Sequence, residues 1–180
     1  AVNKFGSFQI VFNNAGRLEP DDVYENPDSL TNFINIMLTS VFQGCILANN
    51  HFQDQLKQDP SKQFCIINTS SVAGLELMEN CPMYSLCKKA VFDATRVLSL
   101  LNWKNVRING IGPLFTRTNI LIKNGVDFAE HLGSRHGMME PEYIAGKMIE
   151  LVEDDGLNGV VRFVYVNKVF DAEPLKLIKF

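Results

Sequence analysis

Short, unbroken apolar runs separated by long amphipathic stretches constrain this chain more than any other feature. Phe8–Phe12, Gln63–Asn68, Val106–Ile111 and Val160–Val166 read as strands. Between them, Asp28–Lys57, Pro82–Asn102 and Glu140–Asp154 carry helical periodicity. Pro82 and Pro141 fall at or near the first turns of their helices, where a missing N–H is tolerated. A strand wetted on one face alternates apolar and polar residues; these strands do not, so both faces are covered. Covered strands separated by helices imply a parallel sheet in a three-layer αβα arrangement. A chain of 180 residues fits one domain with enough length to bury a core.

Composition excludes several function classes. The chain is 46% hydrophobic and 21% charged with a net charge of −3, and no basic patch with interleaved aromatics occurs, so no nucleic-acid partner is expected. No apolar run approaches the ~20 residues of a membrane helix, so no membrane span is expected. The opening AVNKFGSFQI has no basic stretch leading into an apolar one, which fits a cytoplasmic protein. Cys45, Cys65, Cys81 and Cys87 show no CxxC spacing and sit in apolar or helical surroundings, as buried free thiols do. His51, His131 and His136 are scattered, so no metal site is expected.

The chemistry is concentrated in YSLCK. Tyr84 and Lys88 are four apart on one helix, about one turn, and so share a face. Lys89 points some 100° away, which makes Lys88 the partner. A phenol starts near ~10 and needs a fixed cation to trade protons near neutrality. Ser71 follows the apolar run FCIINTS at a strand end, where its hydroxyl can hold a carbonyl or alcohol oxygen. An isolated YxxxK is a weak signal, because an ordinary amphipathic helix also carries it.

Three further segments add specificity: NNAG at Asn13–Gly16 after a strand, SSVAGL at Ser70–Leu75, and VRINGIGPLFTRT at Val106–Thr118. Their order and spacing resemble the short-chain dehydrogenase/reductase family. The ending PEYIAGKMIELVEDDGLNGVV (Pro141–Val161) makes the chain most similar to the 15-hydroxyprostaglandin dehydrogenase type. The resemblance implies a doubly wound Rossmann-type sheet, with Tyr84 as acid/base and Ser71 orienting the substrate oxygen. It implies that Lys88 lowers the Tyr84 pKa and binds the nicotinamide ribose. Asn13, Asn14, Ala15 and Gly16 match the turn along which the cofactor passes, although a plain strand-to-helix turn uses the same residues. Pro113 and Thr118 match a PGxxxT segment that touches the cofactor. The stretch Asn119–Met139 takes the place of a mobile substrate lid.

The resemblance also implies that NNAG follows a fourth strand. The three strands before it and the Gly-rich turn, on the order of 70 to 80 residues, would then precede this chain. Residues 1–180 are therefore expected to be one partial Rossmann-type domain, with the family's activity belonging to a longer parent. NAD is the implied cofactor. NADP stays open, because the residue that selects between them follows the second strand.

Two positions depart from the family pattern. Met37 stands where an Asn holds a relay water, and a thioether cannot replace an amide as donor and acceptor. Asn35 is about 200° around the helix and does not substitute. Leu114 stands at the PG glycine, where its β-carbon is expected to crowd the nicotinamide or distort the turn. Surplus apolar residues (Met37, Leu38, Val41 and Phe42; Val91, Phe92, Val97 and Leu98) suggest a homodimer seam through helices near 28–57 and 82–102. Two readings follow: an NAD(P)-dependent oxidoreductase acting on a small-molecule secondary alcohol or ketone, such as a prostaglandin-like lipid hydroxyl, or a truncated, catalytically impaired homologue that binds or scaffolds.

Overall fold

The computed structural model describes residues 2–123, 126–127, 129–173 and 175. In chain order the elements are α1 (Val2–Phe5), β1 (Ile10–Asn13), α2 (Pro27–Ile34), a π-helical turn (Asn35–Thr39), α3 (Ser40–Gln58), β2 (Phe64–Thr69), a 3₁₀ turn (Val72–Gly74) and α4 (Pro82–Ser99). Then come β3 (Val106–Pro113), a second 3₁₀ turn (Asn119–Leu121), the short strands β4 (Ile122–Lys123) and β5 (Val126–Asp127), α5 (Ala129–His136), α6 (Pro141–Glu153), β6 (Val161–Tyr165) and β7 (Lys168–Asp171).

The main sheet has the order β1-β2-β3-β6-β7. The first three pairings are parallel, in registers that set Asn13 beside Asn68 and Asn68 beside Gly110. Side chains of β2 alternate between two cores. Phe64 and Ile66 join Val41, Cys45 and Phe52 of α3 and Val91 and Leu98 of α4 on one face. Cys65 and Ile67 join Ile144 and Leu151 of α6 on the other. The three-layer α/β expectation is therefore met, and all four cysteines are buried and outside any disulfide.

Several details differ from the sequence expectation. The expected strand Phe8–Phe12 begins at Ile10, and β3 runs on to Pro113. A fifth strand, β7, folds back antiparallel on β6 and was not foreseen. Its signal was there: a two-residue connection, Val166–Asn167, followed by the apolar pair of KVFD. The helix expected to run to Asn102 ends at Ser99, and Asn102 takes a left-handed φ of 48° that stops it. The stretch expected as a lid holds a 3₁₀ turn, β4, β5 and α5, although residues 124, 125 and 128 lie outside the described residues.

The helical stretch Pro27–Gln58 is, by length and composition, apolar enough to cross a membrane, with a mean hydropathy of 1.4 over its best window. This differs from the expectation that no apolar run is so long, because Asn and Gln residues interrupt the stretch and hide its length in the sequence. In the fold, Val41, Cys45, Ala48 and Phe52 of α3 are buried on the side that faces the sheet, but only 22% of the apolar window is buried, so most of it stays on the surface of this chain. The apolar seam also divides. Met37, Val41, Val91, Phe92 and Leu98 are buried within the chain, and only Phe42 and Val97 of the seam residues are exposed, alongside Ile46 and Leu86.

Phe52 is fully buried and stacks on Phe64 at 4.3 Å between centroids. We expect Phe52→Ala to cost about 3–5 kcal/mol of stability. Urea denaturation with an unchanged m-value checks this.

Candidate active site

Strands β1, β2 and β3 end on one edge of the sheet, and their following loops meet there. This is where an open α/β sheet binds ligands. The β2 end is locked to α4 by close backbone approach. Ser70 donates its hydroxyl to the Lys88 carbonyl at 2.7 Å. A β-carbon on Gly74 would lie 2.8 Å from that same carbonyl oxygen, so only glycine fits. Ser71 is extended at the start of the 3₁₀ turn. Its Oγ accepts from the Ala73 N–H at 3.2 Å and donates to the Pro113 carbonyl at 3.3 Å.

Ser71, Tyr84 and Lys88 converge, as the spacing implies. Ser71 and Tyr84 share a hydrogen bond. Lys88 Nζ lies 5.7 Å from the centre of the Tyr84 ring and donates to the Thr69 carbonyl at 2.8 Å. Lys88 is 4% exposed, whereas Lys89 is exposed and pairs with Asp93 at 3.4 Å. Burial pulls the Lys88 pKa down to about 8, with a partial opposing effect from Cys87.

The phenol behaves differently from the sequence expectation. Burial pushes the Tyr84 pKa up to about 12, and the Ser71 hydrogen bond offsets only part of this. Lys88 does not lower it in this geometry, because the ammonium is turned toward the Thr69 carbonyl.

The NNAG turn divides by residue. Asn13 faces inward: its amide donates to Asn68 Oδ1 at 2.8 Å and to Cys45 Sγ at 3.4 Å, and Asn68 donates on to Thr95 at 3.1 Å. It braces the strand end. Asn14 Oδ1 accepts from the Thr69 hydroxyl at 2.9 Å, which ties the turn to the residue that holds Lys88. Ala15 and Gly16 are exposed, and a β-carbon on Gly16 would meet Met37 at 3.5 Å and Lys88 Nζ at 3.8 Å. Pro113 reaches the cluster through its carbonyl. Thr118 is exposed with its hydroxyl 3.4 Å from the Thr116 carbonyl, and no described contact joins it to the cluster.

Met37 is 1% exposed and packs with Val23, Phe33, Cys87 and Tyr84. Its sulfur accepts the Arg17 N–H at 3.2 Å, so it forms the floor beneath the NNAG turn. Asn35 is exposed and does not replace it. Leu114 causes no left-handed backbone: positive φ among described non-glycine residues occurs only at Asn102 and Asn105. Its N–H pairs with the Val164 carbonyl at 2.9 Å and its side chain packs on the core, so the turn is not distorted.

Sequence reasoning missed Glu19, which is 6% exposed and accepts the Tyr84 backbone N–H at 2.7 Å. The clue lay at Cys81–Pro82, where a helix starts without a capping side chain.

The nicotinamide nucleotide implied by the resemblance fits this ground. Among the described residues, the buried Lys88 ammonium has one hydrogen-bond acceptor, which leaves donors free beside the exposed Ala15–Gly16 backbone. A vicinal diol satisfies such donors.

A family model described as short chain dehydrogenase matches residues 1–127. The 15-hydroxyprostaglandin dehydrogenase (NAD(+)) of Macaca fascicularis is 30% identical over 97% of this chain and 69% of its own length. The human protein of that name is 30% identical over 93% of this chain, which spans 64% of that relative's length. A short-chain type dehydrogenase/reductase from Mycobacterium marinum superposes with a TM-score of 0.77 at 20% identity, covering 91% of this chain and 66% of its own. The chain belongs to the short-chain dehydrogenase family.

The Lys88 pKa fixes a pH dependence. Folded Lys88 loses its proton near 8, while the unfolded side chain holds it to about 10.5. Between these values the unfolded state binds more protons, so stability rises with pH. Tyr84 opposes this only above pH 10, where the folded phenol still holds its proton up to about 12. The stability of the wild type relative to Lys88→Met is expected to rise by about 2 kcal/mol from pH 8 to 10. Denaturation curves at both pH values check it, and a flat difference would contradict it.

Proposed function

We propose that this chain carries the proton-handling half of an NAD-dependent alcohol dehydrogenase that interconverts a secondary alcohol and a ketone. The observation behind this is the meeting of Tyr84, Ser71 and Lys88 where the NNAG turn passes. NAD is the cofactor and supplies the hydride chemistry. Lys88, Gly16 and Ala15 would hold its nicotinamide ribose, with Asn14 bracing the turn and Pro113 and Thr118 on the amide side.

At pH 7 Tyr84 carries its proton and Lys88 its charge. Ser71 Oγ holds the substrate oxygen. In ketone reduction the Tyr84 proton passes to that oxygen. The phenolate left behind is attracted to the Lys88 ammonium, and alcohol oxidation runs the same transfer backwards. The loop after Ser71 bears exposed Leu75 and Leu77, and Met78 and Met83 lie nearby, which suits an apolar substrate such as a prostaglandin-like lipid hydroxyl.

Exposed Phe42 and Ile46 on α3, with Leu86 and Val97 on α4, favour a homodimer through these helices. We place the protein in the cytoplasm and read residues 1–180 as the C-terminal part of the catalytic domain, its β1 edge open to further strands.

The assay uses a chain completed at that edge by the family's Gly-rich strand–turn–helix units. NAD-dependent oxidation of a lipid secondary alcohol is expected, with Tyr84→Phe reducing kcat roughly 10²–10⁴-fold. Unchanged turnover in that variant would remove Tyr84 from the chemistry.

Met37 supplies a second test. An amide there would restore a polar path behind Lys88, so Met37→Asn is expected to raise kcat in the same assay. No increase would mean that proton delivery from this side does not limit the rate.

A further inference from the structure

The N-terminus of α4 is tied to the cofactor turn by two side chains from a single loop. Cys81 offers no side-chain cap and Pro82 has no N–H, so Met83 and Tyr84 present the first free donors of the helix. Tyr24 Oη accepts from the Met83 N–H at 3.2 Å, and Glu19 Oε2 accepts from the Tyr84 N–H at 2.7 Å. Glu19 and Tyr24 are also hydrogen-bonded to each other. Both lie within eight residues of Gly16 in sequence, on the loop that leaves the NNAG turn. A carboxylate 6% exposed is costly to bury, and its position at a helix N-terminus, bonded to a backbone donor, compensates. Of the whole helix, it grips the residue whose side chain handles the proton.

We propose that Glu19, assisted by Tyr24, is a positioning residue that couples the cofactor turn to the orientation of Tyr84. This rests on the dehydrogenase reading above. The Glu19 contact is to the Tyr84 backbone, so Glu19 acts through Tyr84 and takes no proton from substrate. A shift of the 13–24 loop on nucleotide binding is transmitted directly to the Cα that carries the phenol. Small misplacements of an acid/base group are expensive in rate, so the link governs kcat more than binding.

The test compares Glu19→Ala, Glu19→Gln and Tyr24→Phe in the same turnover assay. Glu19→Ala is expected to lower kcat by roughly tenfold to a hundredfold with little change in KM for NAD. Glu19→Gln keeps an acceptor of the same reach and is expected to retain most of the rate. Tyr24→Phe loses less than Glu19→Ala. A second readout needs no turnover. In the ¹⁵N-labelled 180-residue chain, the Tyr84 amide held by Glu19 should exchange slowly with solvent, exchange faster in Glu19→Ala and regain slow exchange in Glu19→Gln. Wild-type kcat in Glu19→Ala, equal losses in the Ala and Gln variants, or a change confined to KM would each overturn the proposal. So would a Tyr84 amide whose exchange is unchanged in Glu19→Ala. If Tyr84→Phe turns over normally, the dehydrogenase reading fails separately, and the amide exchange still decides whether Glu19 holds Tyr84.

Discussion

A lysine ammonium that is 4% exposed, held by one described carbonyl, is the feature around which the site is arranged. Burying a charge so incompletely paired is expensive, and burial accordingly pulls the Lys88 pKa down to about 8. The chain tolerates this because α4 cannot move away. Ser70 bonds the Lys88 carbonyl, Gly74 lies against it, and Glu19 holds the first turn. Each of these constraints also fixes Tyr84, four residues earlier on the same helix. The energy spent in desolvating Lys88 therefore appears as a preset geometry at the strand ends.

The fold was legible where physics is local. Apolar runs such as FCIIN cannot face water on either side, and the two cores on opposite faces of β2 follow from that alone. The Tyr84–Lys88 spacing needs only the helix period. What escaped notice depends on long-range context. Glu19 looks like any loop carboxylate until the uncapped start of α4, 65 residues away, is brought over it. The inward turn of Asn13 depends on Asn68 and on Gly44, where any β-carbon would strike the Asn13 amide. β7 is short and mostly exposed, and its pattern became decisive only once β6 was there to pair with it.

The expectation about the phenol failed for an instructive reason. Spacing places a cation on the same helix face but does not say which acceptor the cation prefers. The Thr69 carbonyl at the end of β2 wins that competition at 2.8 Å, and the ring is left 5.7 Å away, where burial dominates its titration. A lowered phenol pKa therefore requires a change in what surrounds Lys88. A polar ligand that shares the ammonium with Thr69 would draw it toward the loop that carries Gly16, where a β-carbon built on that glycine would lie 3.8 Å from Nζ.

Met37 and Leu114 show that two departures of similar appearance carry different weight. Leu114 is absorbed: its backbone is unstrained, its N–H is paired with Val164, and its side chain adds to the core. Met37 is absorbed sterically too, but it lies under the Arg17 N–H and against Tyr84, where polarity matters more than volume. A thioether is a weak acceptor and no donor, so it can hold the turn but cannot pass a proton. The fold gives up nothing by having Met37 there. In the mechanism proposed above, any cost falls on proton transfer at Tyr84, the ring against which Met37 packs.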